Sequence, residues 1–180
     1  LKILLPALSA TFPLPIAIVQ HISERSDGFM MEHLNQLSKI TVKEAENKEP
    51  LCPGFAYFAP PGYHLLVEPD HSFSLSIDER VNYACPSIDV LFESAAEVYG
   101  KTLIGVVLTG ANADGAHGIR TIKACGGLAI VQNPEDAECP TMPKASLAAT
   151  QADYVVYIEQ IAPLLQQLVT LKEKAYGASG

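Results

Sequence analysis

The segment from Leu103 to Gly118, L-I-G-V-V-L-T-G-A-N-A-D-G-A-H-G, constrains the fold more than any other. Leu103, Ile104, Val106, Val107 and Leu108 make a nearly continuous apolar run with two β-branched valines, the texture of a strand buried on both faces of a parallel sheet. An interior strand is expected there. The run breaks into Gly, Asn and Asp, and apolar spacing resumes at Ile119 and Ile122 with a helical step, so the segment reads strand, tight loop, helix. Asp114 then lies in the loop at the carboxyl end of a strand, the edge of an open α/β sheet where ligands and chemistry collect. The simpler role for Asp114 is a cap on the helix that follows.

The rest of the chain repeats this alternation. Leu1, Leu4, Leu5 and Leu8 keep a helical step, and Pro13 and Pro15 separate them from a strand over Ile16 to Gln20 that delivers His21 at its carboxyl end. Asp27 to Leu37 has helical spacing. Between Val42 and Ile77 short strand-like pieces are punctuated by Pro53-Gly54, Pro60-Pro61-Gly62 and Glu68-Pro69-Asp70, and the last two pieces predict a hairpin on the flank. A helix is expected from Pro86 to about Tyr99, with Ser87 as its N-cap and Asp89 favourable in its first turn. A strand follows at Leu128 to Gln132, then a loop over Asn133 to Pro143, a short helix through Ala149, a last strand at Tyr154 to Tyr157 and a closing helix over Ile158 to Lys174. The expected fold class is α/β: one doubly wound, mainly parallel sheet with right-handed crossovers, helices on both faces and a small antiparallel hairpin on its flank. At 180 residues the chain is read as a single domain.

Charge and cysteine usage narrow the function classes. A formal net charge of −8 gives no basic footprint for nucleic acid or anionic lipid, and no apolar run approaches the ~20 residues of a membrane span. Cys52, Cys85, Cys125 and Cys139 show neither C-x-x-C pairing nor zinc spacing, which favours reduced thiols in a cytosolic protein; His64 and His71 are too loosely placed for a metal site. No metal or cofactor is expected.

Strands of one parallel sheet release their loops at one rim, so His21 and Asp114 can be neighbours despite their separation in sequence. A histidine backed by an aspartate is two thirds of a nucleophilic hydrolase: the imidazole takes a hydroxyl proton while the carboxylate orients it and stabilises the imidazolium. Ser9 lies in a helix tail, Ser23 follows His21 too closely and Ser87 reads as a cap. None occupies the Gly-flanked strand-to-helix turn that exposes a nucleophilic serine. The chain opens inside a helix, so a strand and serine loop are expected upstream of Leu1.

Seven fragments now combine: V-Q-H at Val19 to His21, V-K-E-A at Val42 to Ala45, P-G at Pro53-Gly54, Y-F-A-P at Tyr57 to Pro60, P-S-I-D-V-L-F-E-S-A-A at Pro86 to Ala96, L-T-G-A-N-A-D-G-A-H-G at Leu108 to Gly118, and M-P-K-A at Met142 to Ala145. In this order and spacing they resemble the catalytic domain of the bacterial chemotaxis protein-glutamate methylesterases, the CheB family, over nearly all of the chain to about Tyr157. The resemblance implies a cytoplasmic serine hydrolase that demethylates glutamate γ-esters on the cytoplasmic helices of chemoreceptors, often deamidating receptor glutamines as well. It implies His21 as the catalytic histidine, Asp114 as the catalytic aspartate, and a nucleophilic serine in a G-A-S-x-G-G loop before the helix that ends near Leu1. It also implies control by a receiver domain, in the same chain or a separate one.

Departures from the family's pattern fall at Ala111 and Asn112, in place of Met-Gly on the substrate side of the loop, and at Cys85, Thr141 and Ser23, in place of Arg, Gly and Pro. They bear on substrate fit. Two other readings compete. In a dinucleotide enzyme L-T-G-A-N-A-D-G-A-H-G would be the cofactor loop, but Gly110 to Gly115 is one residue too long for that pattern. A non-catalytic partner-binding module on the same fold would use the altered loop for docking and would lack the upstream serine.

Overall fold

The computed structural model describes residues 1–21 and 29–177. Its strands are β1 (Ile16–Ile18), β2 (Thr41–Glu44), β3 (Phe55–Phe58), β4 (His64–Val67), β5 (Phe73–Ser76), β6 (Ile104–Val107), β7 (Leu128–Gln132) and β8 (Tyr154–Val156). Its α-helices are α1 (Leu4–Ala7), α2 (Phe29–Leu37), α3 (Ile88–Tyr99), α4 (Ala116–Ala124), α5 (Thr141–Ala149) and α6 (Ile158–Gly177). The fold is α/β, with parallel strands flanked by helices and one antiparallel pair, β4 with β5. The parallel strands form two ladders, β1-β3-β2 and β6-β7-β8.

Strand alternation sends successive side chains to opposite faces, and each face has its own helices. From β3, Ala56 and Phe58 join Ile18 and Val42 on one face, where Ile130 of β7 and the α6 residues Ile161, Ala162 and Leu165 complete a core that includes Leu4, Leu5 and Leu8. This core runs under both ladders. The neighbours of Ile130, Ala129 and Val131, point the other way with Val107 against Ala96 of α3, Ile119 and Ile122 of α4 and Met142 of α5. Tyr57 turns from β3 toward Phe73 and Leu65 of the hairpin, its ring edge-on to Phe73 at 5.0 Å.

Several expectations need correction. Among the described residues β6 pairs with β7 alone, and Ile104 and Val106 are half-buried, so the second neighbour that an interior strand at Leu103 to Leu108 requires is not among them. Its side chains meet core and helices above and below the ladder. The opening helix is a single turn, and the strand expected to Gln20 stops at Ile18. The loop expected to reach Pro143 ends at Pro140, because α5 takes in Thr141, Met142 and Pro143. Pro143 is accommodated in the first turn, where a helix has no intrahelical partner for its N–H groups. The helix start expected at Asp27 and the residue Ser23 lie outside the described residues.

Helices α3 and α4 cross closely at Gly118. A Cβ there would lie 2.5 Å from Phe92 Cβ and 3.1 Å from Asp89 Cα, neither of which is the end of a flexible side chain. Alanine gains up to ~1 kcal/mol of helix propensity over glycine, whereas overpacking costs about 1–3 kcal/mol. Gly118→Ala should therefore lower the thermal midpoint by several degrees. An unchanged or raised midpoint in a calorimetric scan would contradict this packing.

Candidate active site

His21 follows β1 and Asp114 follows β6, so their meeting places the carboxyl ends of both ladders on one rim. His21 Nε2 lies 2.9 Å from Asp114 Oδ2; the Asp114 side chain is fully buried, while that of His21 remains 29% exposed. The carboxylate is fixed on the inner side and the imidazole keeps a face toward solvent.

Asp114 is held by more than His21. Its Oδ2 also accepts the Ile88 N–H at 2.7 Å, and its Oδ1 accepts the Ser87 hydroxyl at 2.7 Å and the Asp89 N–H at 3.1 Å. Each oxygen thus receives two donors, the full complement for a carboxylate. Ile88 and Asp89 open α3, so Asp114 supplies the anion that the exposed N–H groups and dipole of a helix N-terminus favour. The expected capping role is real but assigned to the other helix. Asp114 caps α3, while the N-cap of the helix that follows it, α4, is Gly115, with φ +90° and no side chain to offer.

The cap on α4 comes back from α3. Asp89 Oδ1 accepts the Gly118 N–H at 2.7 Å, the bond a local N-cap would make, and Asp89 Oδ2 accepts from Asn82 Nδ2 at 2.9 Å. The two carboxylates exchange helices. Ser87 does not cap its own helix, contrary to expectation: its hydroxyl is spent on Asp114 and its side chain is fully buried. Its N–H donates to Nδ1 of the buried His64, at 3.2 Å, and His64 Nε2 lies 3.1 Å from the Glu79 carbonyl.

The loop before Asp114 is shaped locally and stitched to the rim. Asn112 turns back so that its Oδ1 accepts the Asp114 N–H at 3.1 Å, while Ala111 is exposed. Thr109 N–H donates to Gln132 Oε1 at 2.8 Å; Thr109 Oγ1 accepts the Cys139 N–H at 2.7 Å, and the Gly110 N–H donates to the Cys139 carbonyl at 3.0 Å. Of the serines considered as nucleophiles, Ser9 lies beyond α1 with its hydroxyl 3.3 Å from that of Thr11, and Ser87 is enclosed. Among the described residues no cluster of His, Cys, Asp and Glu could hold a metal ion, and no helix is long and apolar enough to cross a membrane.

Sequence reasoning expected His21 and Asp114 to be neighbours, as the structure has them, and did not read the bonds that Ser87, Asp89 and His64 make around them. The P-S-I-D and D-G-A-H-G fragments carried the signal, but only jointly, because each supplies the other's cap.

Burial raises the Asp114 carboxyl, but the bonds from His21, Ile88, Ser87 and Asp89 outweigh it and hold it below the usual carboxylate range. A native pKa below the unfolded value of ~3.9 means the contribution to stability is complete above that pH and lost as pH falls through the native pKa. Asp114→Asn should cost on the order of 2 kcal/mol or more at pH 7. The gap from the parent should narrow as pH falls below the unfolded carboxylate value of ~3.9 and the native carboxyl takes up its proton. Chemical denaturation at a series of pH values measures it, and a gap constant across that range would contradict the assignment.

Comparison with known proteins extends this geometry. Residues 1–165 match the family model described as CheB methylesterase. A Leptospira interrogans protein provisionally named protein-glutamate methylesterase/protein-glutamine glutaminase is 55% identical over 168 residues, covering 93% of this chain and 87% of that protein. A Carboxydothermus hydrogenoformans protein-glutamate methylesterase/protein-glutamine glutaminase is 40% identical over 90% of this chain, which spans 49% of it. The crystal structure of the Thermotoga maritima CheB methylesterase catalytic domain superposes with a TM-score of 0.89 at 34% identity, covering 93% of this chain and 90% of that one.

Proposed function

The chain belongs to the CheB methylesterase family, and from that premise we propose that His21 and Asp114 are the general base and its orienting carboxylate in a serine-dependent cleavage of glutamate γ-methyl esters. The family and its named relatives are protein-glutamate methylesterases, carboxylic-ester hydrolases, which favours catalysis over a partner-binding module. The observation that carries the residue assignment is the 2.9 Å contact between a half-open imidazole and a buried carboxylate.

The chemistry follows from that pair. With Nε2 engaged by Asp114, the second ring nitrogen takes the proton of a serine hydroxyl as its oxygen attacks the ester carbonyl. The tetrahedral intermediate collapses as the imidazolium returns the proton to the departing methoxide, releasing methanol and leaving an acyl-enzyme. Water then attacks by the same route in reverse, and the glutamate carboxylate leaves with the serine restored. Asp114 stays ionised throughout, in keeping with the bonds that depress its pKa.

The serine belongs on a strand outside Leu1–Gly180, pairing with β1 and β6, whose outer edges are unpaired among the described residues and whose ladders share one core. Such a strand would end at the rim that carries His21 and Asp114. Ala111, exposed on the loop that carries Asp114, and its neighbour Asn112 contact the substrate side. The substrate class is the methylated cytoplasmic helices of chemoreceptors, with glutamine deamidation at the same site, in the cytoplasm. A receiver domain, in the same chain or a separate one, would supply regulation; the matched region fills most of the Leptospira relative and about half of the Carboxydothermus one.

The full-length protein should release methanol from methylated receptor. His21→Ala and Asp114→Asn should each cut that rate by about 10³–10⁴. Undiminished release by His21→Ala removes it as the base, and no release by the parent protein returns the binding-module reading.

A further inference from the structure

We propose that Ser87 is a positioning residue of this site, whose hydroxyl fixes the plane in which the Asp114 carboxylate meets the catalytic imidazole. The inference rests on the esterase reading and adds a residue to it. Ser87 is fully buried, so its hydroxyl touches neither solvent nor substrate, and it makes no bond to the N–H groups of its own helix. Its partner is Asp114 Oδ1 at 2.7 Å.

The distribution of donors gives that bond its role. Oδ1 takes the Ser87 hydroxyl and the Asp89 N–H; Oδ2 takes the Ile88 N–H and His21. The terminal torsion of a carboxylate is soft and two-fold, and on Oδ1 the backbone offers only the longer Asp89 bond, so the Ser87 hydroxyl adds the shorter restraint on that side. The hydroxyl, shorter than the Asp89 bond on the same oxygen, holds the plane in which Oδ2 addresses Nε2 of His21. Ser87 is itself held through its N–H on Nδ1 of His64 and, beyond that imidazole, the Glu79 carbonyl. Because His64 Nδ1 accepts, Nε2 carries the proton given to Glu79, which defines one neutral tautomer.

Removing the hydroxyl should leave substrate affinity intact, since Ser87 does not reach the surface, and lower turnover, since the imidazole loses its fixed aim. The Asp114 carboxyl should also titrate higher, because a bond to its charged form is gone. The titratable groups around it are His21 from the end of β1, Asp89 and Glu93 from α3, His117 of α4 paired with Glu93, and His64 of β4 behind Ser87.

The test is made on the full-length protein with Ser87→Ala and Ser87→Thr. Expected for Ser87→Ala is a kcat for methanol release lowered about tenfold, the scale of one bond to a charged group, with KM unchanged. Carbon-13 NMR should show the Asp114 carboxyl midpoint moved upward, and Ser87→Thr should restore both readouts. In the parent protein the Ser87 hydroxyl proton should resist exchange above that midpoint and exchange freely below it, a measurement that stands if Ser87→Ala does not fold. An unmoved Asp114 midpoint, or a hydroxyl proton that exchanges freely at neutral pH, overturns the proposal. A raised KM with unchanged kcat also overturns it. If no variant or parent releases methanol the esterase reading fails, whereas the carboxyl titration still decides whether Ser87 holds Asp114.

Discussion

Two buried carboxylates, exchanged between the N-termini of α3 and α4, hold this structure and its candidate site together. Asp114, from the loop before α4, receives the first N–H groups of α3, and Asp89, from the first turn of α3, receives the Gly118 N–H of α4. An unpaired buried carboxylate would be prohibitively costly, and a half-satisfied one strongly destabilising. Here each is met by backbone donors that a helix must leave open in any case. The environments then diverge. Burial, opposed by the Gly118 bond and reinforced by the charge of Asp114, pushes Asp89 above the usual carboxylate range, whereas Asp114 is held below it despite its burial. Of the two, Asp114 is the one secured as an anion, and it is the one that faces an imidazole.

The same logic runs along the rim. Asp136, in the loop after β7, accepts the Ile158 N–H at the start of α6 and binds the Gln132 side chain, whose other end receives the Thr109 N–H at the start of the Asp114 loop. Loops after β6 and β7 are therefore tied to each other and to a helix start, through the side chain of Gln132 at the end of β7, the Asp136 cap and the Gly110–Cys139 backbone bond. The two ladders are joined in a similar way. No backbone pairing links β1 to β6 among the described residues; a shared apolar core beneath them and the His21–Asp114 contact at the rim do so. A contact read as chemistry is at the same time one of the ties between the halves of the fold.

This explains what could and could not be read from the amino-acid sequence. Convergence of His21 and Asp114 follows from a rule about parallel strands that needs only the identity of the elements, and the apolar runs and turn residues supply those. The parallel texture, the β4–β5 hairpin and the helices on both faces were legible for the same reason. Partner choice was not. Sequence reasoning assigns a cap to the nearest suitable residue, Ser87 to α3 and Asp114 to α4, because proximity along the chain is the information it has. The folded chain instead brings Asp114 to α3 from 25 and 26 residues away and Asp89 to α4 from 29. Only the close crossing at Gly118 makes the exchange possible, since a side chain there would hold the two N-termini apart. The run at Leu103 to Leu108 carries a related ambiguity, because an apolar run reports burial and not what does the burying. A glycine that permits contact and a serine that looks like a cap are unremarkable singly; their meaning lies in the pairing of D-G-A-H-G with P-S-I-D, which becomes visible once both helices are placed.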